Sequence, residues 1–522
     1  MDYDWQMMGG LRQDGAAYGP DPVASSLEHM KDLAGRLRHG DAAAFTAACT
    51  TLHHTLALRV RGAPRGFHSQ NQATAAAAGA FEALVEGLAR HSGASSASRK
   101  AVVAGLAVAN DLCAGNAGNR AAALRAGLLT PLLNALRCGA TPDAEQAPGL
   151  AACAAIAMFA FVAHSPEVVR AALNGGAVDA LLAVVKAYPP RSSATTKAFG
   201  ALYNLASADP GAAARALSLG AVEVVAAALR GPAEADAQLA HDKLNWHASI
   251  LTALLSHDAS FGDATARMLR CGVVPLMLAA AQRQCASAPA GLIQPVVEAL
   301  SSLSPALSYD ERIEALQLLG TLLRMHGHDA LFATAACYSL NDVLGATSSP
   351  AIALRCALSG PGRAAVPPLV AALRAHTLQH PNLAQPGCCA VTRLCAASPE
   401  VSGVAAVRCG VSSAVAPLPP AAFEPFGLAA FQMALRAAEK AHDAQPRCEP
   451  GEGEGACARC AEQRLSGALC GAPGCFARKR LGGTKTLLRC SACRVAAYCG
   501  EEHQRAAWAG HKQTCRAVAV QR

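Results

Sequence analysis

One phrase returns along most of this chain. It reads "RAGLLTPLLNAL" at 125–136, "NGGAVDALLAVV" at 174–185, "SLGAVEVVAAAL" at 218–229, "RCGVVPLMLAAA" at 270–281 and "RCGVSSAVAPL" at 408–418. Each copy sets a glycine in front of an apolar helix start. The glycines stand at 127, 176, 220, 272 and 410, so the first intervals are 49, 44 and 52 residues. The gap from 272 to 410 is 138 residues, close to three more periods, and "SGPGRAAVPPLVAAL" at 359–373 is expected to fill one missing place. A helix-joint-helix unit with a period of about 40–50 residues predicts an α-solenoid. Such a unit cannot bury its apolar faces alone, so copies must stack. Composition agrees: 52% of residues are hydrophobic but only 4% aromatic. The excess is mostly Ala, the best helix former. Sandwiches and barrels draw instead on Val, Ile, Thr and aromatics.

The stretch "AFGALYNLASADPGAAARALSLGAV" (198–222) reads as a long helix, a short joint, a short helix and then the glycine. This order resembles the armadillo repeat, and more loosely the HEAT repeat, over roughly residues 80–420. Nuclear-import members of that family carry repeated Trp and Asn on the third helix. Here Asn204 stands at that place, but the equivalent places fall near Ala160, Ser256 and Leu394. The three Trp are Trp5, Trp246 and Trp508. The import ladder is absent, and Asn204 is read as a structural residue.

The longest apolar run, Leu150 to Ala163, is 14 residues. A spanning helix needs about 20, so the run predicts a buried helix and no membrane span. The N-terminus "MDYDWQMMGGLRQDGAAYGPDP" lacks a basic region followed by an apolar block, so it is not read as a signal peptide. The expected location is cytoplasm or nucleus, where thiols stay reduced and spaced Cys read as metal ligands. Residues 1–24 read as a disordered leader, 25–440 as helical repeats, and 441–469 as a linker rich in Pro, Gly and Glu.

The last stretch changes chemistry. Residues 470–515 hold six Cys and two His, whereas the first 447 residues hold twelve scattered Cys. The ordered set is Cys470-x4-Cys475, Cys490-x2-Cys493, Cys499-x3-His503 and His511-x3-Cys515. Eight thiol and imidazole donors make two tetrahedral sites, and zinc suits them because it prefers such ligands and lacks redox chemistry. Spacings of i, i+4 place Cys499 with His503, and His511 with Cys515, on one helix face.

The sequence "YCGEEHQRAAWAGHKQTC" resembles the tail of the MYND zinc finger, in which Tyr-Cys is followed by Gln, Trp, His-Lys and a final Cys. Tyr498, Cys499, Gln504, Trp508, His511, Lys512 and Cys515 fall in step. The resemblance implies interleaved ligands: Cys470, Cys475, Cys499 and His503 for one structural Zn²⁺, and Cys490, Cys493, His511 and Cys515 for a second. His503 stands where the family usually has Cys, and the first pair is spaced x4 rather than x2. Cys457-x2-Cys460 has the commoner spacing and competes for the first pair, with 29 residues between it and Cys490. The finger is set at 470–515, with a tail at 516–522. It has too few apolar residues for a core, so metal must supply much of its folding energy. The expected fold class is therefore all-α: an armadillo-like α-solenoid followed by a small two-zinc MYND finger.

Eight ligands fill both ions, which leaves no open position for a catalytic water. No His-Glu-x-x-His helix occurs, nothing in 1–440 resembles the β-rich SET domain, and the His places differ from a RING finger. The expectation is a non-enzymatic interaction scaffold. By resemblance, the finger docks short proline-containing peptides, with Gln504 and Trp508 lining the groove, and the repeats dock a protein partner. The alternative is a nucleic-acid-associated regulator. From Pro446 to Arg522 there are 13 Lys and Arg against 6 Asp and Glu, a surplus of 7 in a chain of net charge +8. Two Zn²⁺ and six thiolates lower that surplus to 5. The basic run Arg478–Lys479–Arg480 has no aromatic interleaving, and no recognition helix is evident.

Overall fold

The computed structural model describes residues 26–58, 66–67, 69–93, 95–141, 147–190, 192–231, 237–257, 263–284, 288–345, 356, 359–376, 379–397, 406–407, 409, 411–415, 418, 427–444, 488–489 and 497–498. The chain divides into two compact units, residues 1–288 and 289–522. The expected leader at 1–24 lies outside the described residues.

In the first unit the glycine phrase is a defined joint. Ser193–Ala208 is a long helix that ends at Asp209. Asp209 is also the N-cap of the short helix Pro210–Ser218: its carboxylate accepts from the Ala212 N–H at 3.1 Å, and Pro210 occupies the first helical position. Both choices suit a helix start, since the cap satisfies an orphan N–H and proline has none to lose. Gly220 then takes φ 86° and starts Ala221–Arg230. Gly127, Gly176 and Gly272 repeat this at φ 85°, 80° and 65°. In all four joints the glycine N–H bonds the carbonyl of a leucine three residues earlier (Leu124, Leu173, Leu217, Leu269), each at 3.0 Å. One left-handed residue per joint gives nearly the same bend each time: 71°, 65° and 66° at the joints of Gly176, Gly220 and Gly272. A side chain with a Cβ pays about 1–2 kcal/mol for that conformation, which is why glycine holds it.

A second device recurs with the first. Ten residues after Gly127, Gly176 and Gly220 stand Arg137, Lys186 and Arg230. Each donates to the carbonyl just ahead of a joint glycine in the following repeat, or one residue before it: Arg137 to Gly175 at 2.8 Å, Lys186 to Leu219 at 2.8 Å, Arg230 to Cys271 at 2.5 Å. These carbonyls close the C-terminal end of a short helix, where a cation is favoured.

Alanine lets the long helices approach closely. Ala147–Val162 is the expected buried apolar helix, with Ala151, Ala154, Ala155 and Ala157 at 1% exposure or less. Phe45 fills a slot between helices: a Cβ on Gly87 would come within 2.1 Å of its ring. Where the Ser96–Cys113 helix ends, side chains close its last carbonyls. Gln72 donates to Asp111 and Ala114, Asn119 to Leu112, and Arg120 to Cys113. The buried Asp111 carboxylate faces His53 and accepts from Asn110. Burial raises the Asp111 carboxyl above the usual range, against the pull of His53.

The second unit carries the helices Ala290–Leu303, Tyr309–His326, Ala330–Gly345, Gly360–His376, Pro381–Ala397, Val411–Val415 and Gly427–Ala444. Ser308 and Glu311 form a reciprocal capping box at the start of Tyr309–His326. Arg312, 2% exposed, donates to Leu307 at 3.1 Å, Val343 at 2.6 Å and Ser304 at 2.5 Å, which binds three backbone carbonyls in the core. Arg374 donates to Cys409 at 2.6 Å, as the basic residues of the first unit do. The phrase at 359–373 differs from the expected joint. Gly360 and Gly362 lie inside the helix Gly360–His376, and the described residues there show no left-handed glycine. The last helix ends at Ala444, four residues past the expected boundary at Lys440, because nothing stops it before Pro446.

Two short antiparallel pairs interrupt the helices: Ala57–Leu58 with Gly66–Phe67, and Leu488–Arg489 with Ala497–Tyr498. Among the described residues no single helix is long and apolar enough to cross a membrane.

Candidate functional site

The C-terminal site is built around the second of these pairs. Leu488 is register partner of Tyr498, and Arg489 of Ala497. Val495 to Tyr498 is rich in strand formers or small residues, and the two strands are joined by the seven residues 490–496, which include Cys490 and Cys493. In an antiparallel pair the two chains leave at opposite ends. The exit from Arg489 toward Cys490 and the exit from Tyr498 toward Cys499 are therefore on different ends of the hairpin. The predicted ligands Cys470, Cys475, Cys490, Cys493, Cys499, His503, His511 and Cys515 lie outside the described residues, as do the competing Cys457 and Cys460 and the predicted peptide-binding Gln504 and Trp508. Among the described residues, no group of three His, Cys, Asp or Glu could hold a metal ion. The thiols of the helical region behave as core: burial pushes Cys113, Cys337, Cys388 and Cys395 up to about 12.

The helical region contributes a second feature, on three successive long helices: Ala147–Val162, Ser193–Ala208 and Ala237–Ser256. Phe159 meets Trp246 edge to face with ring centroids 5.5 Å apart, and Tyr203 lies 6.1 Å from Trp246. Gly200 leaves the space for this, since a Cβ there would stand 3.3 Å from Phe159 and 3.4 Å from Trp246. Tyr203 and Trp246 are half-buried, so the cluster presents aromatic surface. Asn204 donates to the Phe159 carbonyl at 3.1 Å and so ties two long helices together, the structural role read from the sequence. Beneath the cluster Phe199 stacks edge to face on His247 at 4.8 Å. Burial, and then Lys243, push the His247 imidazole down to about 3. Burial also lowers Lys197, against the pull of Asp242.

Sequence reasoning treated Trp246 only as evidence against an import ladder and missed this cluster. A signal was available: Phe159 and Tyr203 each stand 17 residues before a joint glycine, Gly176 and Gly220. Trp246 does not share that spacing, because the joint after its helix is longer.

The MYND finger family matches residues 457–515. No curated protein matches the chain. A crystal structure of an engineered protein is similar with TM-score 0.56 at 17% identity, covering 82% of this chain and 92% of that one. Two further similarities are lower. A structure described by a phosphorylation switch that controls the interaction between cadherin and beta-catenin has TM-score 0.48 at 13% identity, covering 85% of this chain and 84% of that chain. A designed armadillo repeat protein has TM-score 0.41 at 16% identity, covering 52% and 99%. MYND fingers bind zinc, and both the finger and armadillo-like repeats are modules of protein recognition. The chain thus joins an armadillo-like helical repeat region to a C-terminal MYND zinc finger.

Proposed function

We propose that this protein is a non-enzymatic scaffold that holds one partner on its long helices and a short proline-containing peptide on its finger. The finger would carry two structural zinc ions, one held by Cys490, Cys493, His511 and Cys515 and the other by Cys499, His503 and an upstream Cys pair. The antiparallel register of 488–489 and 497–498 supports this division, because the chain reaches Cys490 and Cys499 from opposite ends of the hairpin. The upstream pair is Cys470/Cys475 or Cys457/Cys460. The matched span opens on Cys457 and contains both.

The match to a recognition finger carries the peptide reading. Gln504 offers a donor and an acceptor to a peptide backbone, and Trp508 offers a flat apolar wall to proline rings that arrive already ordered. The half-buried Phe159–Tyr203–Trp246 cluster supports docking on the repeats, since large aromatic surface with little side-chain entropy dominates protein interfaces. The test is titration of the zinc-loaded full-length protein with a panel of proline-containing peptides. Micromolar-range binding is expected, about −7 to −8 kcal/mol. Gln504→Ala should weaken it without releasing zinc. No binding at millimolar peptide, or unchanged binding by Gln504→Ala, rejects the groove.

A further inference from the structure

The first unit has a small cavity of about 330 Å³ that belongs to neither feature above. It is lined by Leu229, Arg230, Gly231, Leu276, Ala279 and Arg283. These residues come from the C-terminal end of Ala221–Arg230 and from Val273–Gln284, with none from a long helix. Leu276, Ala279 and Arg283 are spaced i, i+3, i+7 and so share one face of their helix. Leu229 is 8% exposed and, with Leu276 and Ala279, gives the cavity an apolar floor. Arg230 and Arg283 stand at its rim, both exposed. One terminal nitrogen of Arg230 is committed to the Cys271 carbonyl. No carboxylate lies within ion-pair distance of either guanidinium among the described residues. Arg215 and Arg267 in the same run of repeats are paired, with Asp179 and with Glu223 and Asp263.

Two unpaired guanidiniums beside an apolar floor complement one chemistry: a carboxylate next to an apolar side chain. Ligand pockets run from about 300 to 1,000 Å³, so this one accepts a single side chain with its flanking groups. We infer that the cavity docks an acidic linear segment of a partner protein, in which an apolar residue enters between Leu229 and Leu276 while adjacent carboxylates bridge Arg230 and Arg283. This goes beyond the reading above, since it uses neither the finger nor the aromatic cluster.

The test is fluorescence anisotropy of a labelled peptide, Gly-Glu-Leu-Glu-Gly with blocked ends, against the zinc-loaded full-length protein. Saturable binding that weakens as salt rises is expected. The Glu-to-Gln peptide and the Leu-to-Gly peptide should each bind at least several-fold more weakly. Arg283→Gln should weaken the parent peptide about tenfold, the loss of one charge-assisted hydrogen bond. Arg283 is exposed, and its replacement leaves the core intact. Trp246→Phe and Gln504→Ala should bind the peptide as the parent does, which separates this site from the proposed function. Absence of binding at millimolar peptide overturns the inference. So does equal binding of the Gln peptide, or full affinity in Arg283→Gln.

Discussion

Gly220 shows how much one residue decides in this chain. Its φ of 86° sets a 65° bend between two helices, and its N–H returns to Leu217. Gly220→Ala should lower stability by about 1–2 kcal/mol, the cost of a left-handed residue with a Cβ. Gly149→Ala is the control. That glycine is exposed within Ala147–Val162 with no atom near an added Cβ, so the change should be neutral or stabilising by up to about 1 kcal/mol. Urea unfolding of both variants measures the difference, and equal effects would remove the conformational argument. His247 makes a different kind of prediction. Its imidazole is neutral down to about pH 3 in the fold, but titrates near 6.5 when unfolded. The unfolded chain therefore takes up a proton as pH falls below about 6.5, and the native state does not. Stability should drop by up to about 2 kcal/mol between pH 6.5 and 5 from this group alone. His247→Leu should flatten that part of the pH profile, and an unchanged profile would show that the ring is accessible to protons. The glycine was legible as a residue type in a repeated phrase. The histidine was not, because nothing local to 241–249 marks which side of its helix is buried.

At the scale of elements, the glycine joint and the basic residue ten positions later act together. The joint turns the chain, and Arg137, Lys186 or Arg230 fastens it to the next repeat. Lys186→Met keeps the aliphatic stem and removes the donor to Leu219. It should cost about 1 kcal/mol in urea unfolding, and no loss would mean that solvent replaces the bond freely. The joint was visible in the sequence and its partner was not, because the bond spans 33 residues and no local pattern announces it. The finger hairpin is an element of the same kind. Strand spacing was unreadable around Cys490 and Cys499, but the register of 488–489 with 497–498 separates the two exits. Cys490→Ala should reduce bound zinc from two ions to about one, or unfold the finger, because a structural zinc contributes on the order of 10 kcal/mol. Two ions kept at full affinity would reject the assignment. Zinc stoichiometry of Cys470→Ala and of Cys457→Ala decides the upstream pair: whichever loses an ion holds it.

Across the whole molecule, metal and hydrophobic burial support different parts. Among the described residues the helical region has no group able to hold a metal ion, and its buried side chains are Ala, Leu, Val and Phe. Chelation of zinc should abolish peptide binding by the finger while the far-ultraviolet helical signal stays nearly unchanged. A large loss of helix on chelation would show that the repeats depend on the metal. The sequence alone determined the helical repeat class and the zinc chemistry. Both are written locally: a glycine that must be left-handed recurs at a near-constant period, and soft ligands recur at chelating spacings. The tertiary structure decided what those units present. Phe159, Tyr203 and Trp246 meet only when three long helices pack, and Arg230 and Arg283 share a cavity only when two short ones do. Such contacts join residues tens of positions apart, and helix packing sets their distances, which no spacing along the chain encodes.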